Sequence, residues 1–320
     1  MESKLKQKPA AQQPAKSLSP MEQLENEEVA EQKPVKRHMG LALGRHLGNT
    51  GAYILLVIIS IIWLAPFVFL VLQSFEVHST GWSNRAWPVE WGFSNYIYLF
   101  SAEADFNQWY FNTFVIALFV CVLSTAMQLT MAYVLSRFRF KMRKPLMNFM
   151  LILGMFPGFL TMIILYFVLK DLGMTQANAV PGLILVGFAS SGMGYYISKG
   201  FFDTISKSLD EAAMIDGATR AQIFWKIILP LAKPIVIYSI LTSFMAPWGD
   251  YVFASYVAFG APTGYNVAVG LYRWLSAEQI SYHYTHFCAG GVVVSIPVIT
   301  LFLLLQRYYV EGVTGGAVKG

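Results

Sequence analysis

Long apolar runs alternate with short polar segments along most of the chain. Six runs approach or exceed the roughly 20 residues that a helix needs to cross the hydrocarbon of a bilayer. They cover about residues 51–72, 111–135, 145–169, 179–198, 234–252 and 288–306, and only the fifth contains a charged residue, Asp250 near its far end. The pattern predicts six transmembrane helices, because lipid leaves backbone amides no partner outside a helix or a closed barrel. Prolines 66, 157, 181, 247 and 297 fall inside or at the ends of these runs. Membrane helices tolerate such breaks where neighbouring helices or cavity water satisfy the freed carbonyls.

Residues 1–46 have a different pattern, rich in Lys, Glu, Gln and Pro with almost no aromatics. Too little apolar area is available there to offset chain ordering, so a disordered tail is expected, with the membrane part occupying 47–320. Composition agrees: 56% of residues are hydrophobic, 13% are charged and the mean hydropathy is +0.50, which excludes an ordinary soluble domain. The net charge of +5 would suit nucleic acid only if it were clustered on a folded face. Instead, Lys and Arg number 8, 1, 5, 1, 5, 1 and 2 through the tail, successive loops and C-terminus. That alternation places both termini of a multi-pass protein in the cytoplasm. Trp82, Trp87, Trp91, Tyr96 and Tyr98 in the first external loop suit an interfacial belt.

The cytoplasmic segment at about 202–234 is too long for a plain connector. Ser208 with Glu211 has capping-box spacing, Gly217 supplies a turn, and Thr219 with Gln222 repeats the spacing. A second helix follows, with Ile223, Phe224, Ile227 and Ile228 on one face, and Pro230 and Pro234 are expected to end it. Two readings fit this hairpin. It could lie on the inner membrane surface with its apolar face in the headgroups, or present a small acidic tip to another protein.

"EAAMIDGATRAQIFWKIILPLAKP", from Glu211 to Pro234, resembles the EAA motif of permease subunits of binding-protein-dependent ABC importers. The likeness is carried by Glu211, Ala212, Ala213, Asp216, Gly217, Ala218, Phe224, Leu229, Pro230 and Pro234. "NTFVIA" at 112, "AYVLSRFRFK" at 132, "DLGMTQANAVPGLIL" at 171, "YNVAVGLYRWL" at 265 and the closing "QRYYVEGVTGGAVKG" are similar to the carbohydrate branch, in particular to the smaller permeases of maltose and oligosaccharide transporters. The resemblance implies an all-α membrane protein with the type I ABC importer permease fold and a cytoplasmic coupling helix. Its implied partners are a second homologous permease, a dimeric ABC ATPase, an extracellular or periplasmic sugar-binding protein, a sugar and membrane lipids, with no nucleic acid.

The resemblance also implies site residues. Glu211, Ala212, Ala213, Asp216 and Gly217 would contact the ATPase, with Glu211 pairing an arginine unless it merely caps its own helix. Gly315, Gly316 and Lys319, in a tail too glycine-rich for a helix, would extend into the ATPase interface. Tyr265, Asn266, Tyr272, Arg273 and Trp274 would belong to a loop that meets the binding protein or the sugar, since aromatics stack on sugar faces. No catalytic or metal-binding residue and no cofactor of its own is expected. ATP and Mg would sit on the ATPase, and this chain has no GxxxxGK[ST] phosphate loop.

Other features favour packing over chemistry. Asp250 reads as a helix-end carboxylate more readily than a pathway group. Asn112, Gln128, Ser190, Ser191 and the glycines of "SSGMGYY" could line a channel but more often hold membrane helices together. His283 and His286, three apart in an external loop, have no convergent Cys, His or acidic set for a metal. The two cysteines, Cys121 and Cys288, form neither a disulfide framework nor a CxxC site. The rival reading is an ion-coupled secondary transporter without an ATPase. It would need buried ion-binding groups that these nearly charge-free runs lack, and would leave the 202–234 hairpin unexplained.

Overall fold

The computed structural model describes residues 39–77, 85, 87–189 and 192–317, with side chains described for 49–77, 85, 87–189 and 194–308. The tail expected at 1–46 therefore lies outside the described residues up to 38, as do Trp82, Ser190, Ser191 and Lys319. The chain divides into two units, Met1–Trp63 and Leu64–Gly320. In the first, helix α1 (Met39–Ser74) begins inside the segment expected to be disordered. Its side chains are exposed from Asn49 to Trp63, the pattern of a helix whose solvent is lipid or another apolar chain.

The second unit holds the end of α1 and the remaining helices: α2 (Ser94–Leu99), α3 (Phe106–Arg137), α4 (Arg143–Gly154), α5 (Gly158–Asp171), α6 (Ala179–Ala189) and α7 (Gly192–Thr204). Then come α8 (Lys207–Ile215), α9 (Arg220–Leu231), α10 (Lys233–Gly249), α11 (Val252–Val257), α12 (Val267–Arg273) and α13 (Ile280–Ala317). Among the described residues four helical stretches are long and apolar enough to cross a membrane, Asn49–Ser74, Phe106–Arg137, Gln176–Thr204 and Ile280–Tyr308. The total reaches six only if each of two bent pairs is one span.

The bends fall at prolines. The run at 145–169 breaks into α4 and α5, which meet at 98°. Pro157 caps α5 with ψ 117°, outside the helical range, and its ring disfavours helical angles at the residue before it. The other pair, α9 and α10, meets at 83°. As expected of Pro230 and Pro234, α9 ends between them, at Leu231, one residue past the first proline. A π-helical turn over Phe224–Ile228 precedes the proline and accommodates its missing donor.

The glycine-rich C-terminus also departs from expectation. Helix α13 runs through Gly315 and Gly316 to Ala317. Once a long apolar helix exists, adding residues avoids the cost of nucleation, and each glycine costs only about 1 kcal/mol.

Helix α3 is the axis of the second unit, packing against α6, α7 and α10, while α10 packs on α13. Two apolar cores lie along it. One gathers Phe106, Trp109, Ile116, Val120, Trp248, Phe253 and Val267. The other gathers Leu129, Tyr133, Phe202, Ile223, Phe224, Ile228 and Ile235. Along α3 the stretch between them is polar: Ser124 meets Ser243 at 3.4 Å, and the Gln128 amide donates to Gly194 O, Ser198 Oγ and Ser239 Oγ at 3.0, 2.7 and 2.8 Å. Gln128 thus joins three helices rather than facing an open channel. Asn112 is likewise committed, donating to the carbonyls of Thr263 and Tyr265 at 2.9 and 2.8 Å.

Close approach fixes α12 on α3, because a Cβ added at Gly270 would lie 2.0 Å from a Trp109 ring carbon. Gly270→Val is expected to lower stability by about 1–3 kcal/mol through overpacking. A fall in the thermal midpoint of detergent-purified protein, with membrane insertion retained, is the readout.

Candidate interaction site in the 202–234 loop

The hairpin forms with one change of cap. Ser206 rather than Ser208 caps α8, its Oγ accepting from Ser208 N at 3.3 Å, and Glu211 makes no capping bond. The serine two positions earlier reaches the first free amides once the chain leaves Phe202 and Ile205 packed below. At the other end Gly217 adopts φ +80°, with Gly217 N donating to Met214 O at 3.1 Å and Ala218 N to Ala213 O at 2.9 Å. These two bonds make a Schellman motif, which needs a residue at ease in the left-handed region. The Thr219–Gln222 capping box is complete: Thr219 N donates to Gln222 Oε1 at 2.8 Å and Gln222 N to Thr219 Oγ1 at 3.3 Å.

Burial separates base from tip. Ile223, Phe224 and Ile228 are buried against Tyr133, Phe202 and Ile235, so they sit in protein and the membrane-surface placement of this face does not hold. Glu211, Ala212, Asp216 and Gly217 are exposed together around the α8–α9 turn. Ala213 is not with them: it is buried on the inner face of α8, where its methyl group belongs to the core. Ile215, beside the tip, is 86% exposed, an apolar side chain without cover.

What holds α8 in place is an ion pair that spacing alone does not reveal. Arg137, the last residue of α3, places Nε 3.0 Å from Asp210 Oδ2, with the two side chains 2% and 11% exposed. Arg137 also donates to Ile205 O at 3.0 Å. The preceding residue latches the same helix end to α7, Ser136 Oγ donating to Asp203 Oδ1 at 2.6 Å while Lys199 pairs with the same carboxylate. Asp210 stands immediately before the quoted motif and Arg137 in "SRFRF", so each looks like a surface charge when read singly.

At the opposite end of the unit, the five loop candidates separate. Tyr265, Asn266 and Trp274 are buried, whereas Tyr272 and Arg273 are exposed. Asn266 caps α12, accepting from Val269 N at 2.9 Å, and donates to Asp250 O at 2.6 Å. Asp250 ends α10, and its Oδ1 accepts from Phe253 N at 3.2 Å, the helix-end role expected of it. His283 and His286 are on the first turns of α13 rather than in a loop. Their Nδ1 atoms lie 3.2 Å apart, and His286 stacks on Tyr98 at 4.0 Å while His283 stacks on Trp274 at 5.3 Å. Burial, then Glu103 and Asp105, raise the Tyr98 hydroxyl above its ordinary value, so it stays neutral. No group of three metal-ligating side chains occurs among the described residues.

The model of the family described as "Binding-protein-dependent transport system inner membrane component" matches residues 128–315, which include the whole hairpin. The chain is 35% identical over 278 residues to the galactooligosaccharides transport system permease protein GanQ of Bacillus subtilis, covering 86% of this chain and 97% of that one. It is 33% identical over 282 residues to the maltodextrin transport system permease protein MdxG of the same organism, covering 88% and 100%. A maltose/maltodextrin permease, MalG of Yersinia pestis, is 35% identical over 216 residues, 66% of this chain and 70% of that one. In three dimensions the chain is similar to a crystal structure of a bacterial ABC transporter involved in the import of the acidic polysaccharide alginate, with TM-score 0.69, 26% identity and coverage of 83% and 97%.

Arg137→Ala is expected to cost about 3–5 kcal/mol by leaving Asp210 buried without a partner. The paired change Arg137→Met with Asp210→Leu should recover most of that loss. Thermal unfolding of the purified variants compares the two.

Proposed function

Because the chain belongs to the binding-protein-dependent transport system inner membrane component family, we propose that it is one of two transmembrane permeases of an ATP-driven sugar importer. Residues 47–320 would form its transmembrane domain, with the type I permease arrangement, six crossings and both termini in the cytoplasm. The substrate class is an oligosaccharide, by similarity to relatives named for galactooligosaccharides and maltodextrin. The permease would sit in a bacterial cytoplasmic membrane beside a second, homologous permease. A dimeric ATPase, carrying ATP and Mg, would dock from the cytoplasm, and a sugar-binding protein from outside.

The observation that carries the reading is a small acidic tip held out on a stiff, buried base. Glu211 is free of its own helix cap and exposed beside Ala212, Asp216 and Gly217, so its carboxylate is available to a cation on the ATPase. Small neighbours let backbone approach backbone in a cleft. The Arg137–Asp210 pair and the Phe224 anchor tie that tip to α3, so a displacement of the tip is passed to a membrane helix rather than absorbed in a loop. Such a lever suits a transporter that alternates between two states as its ATPases close and separate.

Two further contacts complete the proposal. At the outer face Tyr272 and Arg273 are the exposed members of the loop set and would meet the binding protein or sugar. Gly315, Gly316 and Lys319 would reach the ATPase interface.

Glu211→Ala and Gly217→Asp should each leave insertion and assembly intact while reducing binding-protein-stimulated ATP hydrolysis at least tenfold. Full stimulation in either purified complex would sink the coupling role. Deleting residues 313–320 should lower recovery of the ATPase with the permeases, measured by co-purification. Normal recovery would remove the tail from the interface.

A further inference from the structure

Between the end of α3 and α8 lies a polar cavity of about 430 Å³, lined by Arg137, Arg139, Lys207, Arg220, Glu211 and Met214, together with Asp210. Four of these side chains are cationic. Asp210 neutralises Arg137, but no carboxylate among the described residues forms an ion pair with Arg139, Lys207 or Arg220. Arg220 instead lies over the Phe138 ring, 4.8 Å from its centroid, a contact that orients the guanidinium without cancelling its charge. Arg137 adds an unmet demand: its side chain is 2% exposed, yet Nη1 has no hydrogen-bond partner. A buried donor left unpaired costs about 1–3 kcal/mol, and more when it is charged.

We propose that this cavity is a second docking point for the ATPase, a socket that receives an acidic side chain from it. The inference rests on the coupling reading, and it adds a contact of opposite sign to that of Glu211. Three points select this occupant. Glu211 and Met214 belong both to the cavity wall and to α8, so a partner that closes on the tip also closes on the cavity. Docking would strip water from Arg139, Lys207 and Arg220, and desolvated cations without counter-charges oppose association. A carboxylate suits the fork of a guanidinium, and a single negative charge tolerates Glu211 at the rim better than a doubly charged phosphate does. The tip thus offers the ATPase an anion and a cationic socket side by side, which fixes the register of docking as well as its strength.

The test uses the complex of this chain with its second permease and ATPase, purified in mild detergent and treated with a water-soluble carbodiimide. That reagent joins a carboxylate to a lysine amine in contact as an amide, and itself takes up the water lost. Mass spectrometry should find Lys207 joined to an Asp or Glu of the ATPase, and Lys207→Arg should abolish the cross-link while the complex still co-purifies. The double variant Arg139→Glu with Lys207→Glu should lower ATPase retention about tenfold or more, equivalent to ~1.4 kcal/mol. A complex that keeps its ATPase while neither measurement responds overturns the socket and leaves the Glu211 reading standing. So does native mass spectrometry showing an anionic phospholipid that Arg139→Ala with Arg220→Ala releases. Failure to recover any ATPase with the wild-type chain would remove both.

Discussion

The buried pair between Arg137 and Asp210 is the constraint on which the loop and its use depend. An ion pair of this kind adds little net stability compared with apolar residues of the same volume, because taking both charges from water is costly. What it supplies is position. A guanidinium at the last turn of α3 accepts only a narrow range of geometries, so α8 has one place to sit and its exposed face points one way. The neighbouring Ser136–Asp203 bond fixes α7 to the same helix end, and the carbonyl of Ile205 is held between them. Three helices and the turn between two of them meet within a few residues of one another in space.

Above that junction the interior of the second unit alternates between apolar and polar layers. In lipid, apolar surface gives helices little reason to choose each other over the solvent, and close packing with buried hydrogen bonds does the selecting. Gln128 spans α3, α7 and α10, Asn112 pins the segment before α12, and Gly270 lets α12 approach Trp109. These contacts explain why a set of residues that could have lined a pathway is instead occupied with holding helices together. They also explain why Tyr265, Asn266 and Trp274 are buried, leaving Tyr272 and Arg273 exposed.

Much of the hairpin was legible from residue spacing. The Thr219–Gln222 box, the left-handed Gly217 and the inward Ile223, Phe224 and Ile228 are local consequences of hydroxyl reach, absent Cβ and helical period. The Ser208–Glu211 box was not, because Ser206 stands equally ready and the packing of Phe202 decides where the helix starts. Ala213 looked like part of the tip for the same reason: its neighbours in sequence are exposed, but one residue further along a helix turns by 100°. The break at Pro157 and the π turn ahead of Pro230 depend on how adjoining helices take up an unpaired carbonyl, which a hydropathy pattern does not encode. Likewise the glycines near the end of α13 had every local reason to leave a helix.

By itself the sequence determined that this is a chain of membrane helices with a two-helix hairpin, and its motif placed that hairpin within a family. It could do so because run length, charge placement, caps and turns are properties of residues close together along the chain. Only the tertiary structure decided that Arg137 meets Asp210, 73 positions later in the chain, that four cationic side chains line one cavity with Glu211 in its wall, and which polar groups are committed to packing. Each of those facts is a meeting of distant segments, set by which surfaces exclude solvent from one another, and no local pattern carries it.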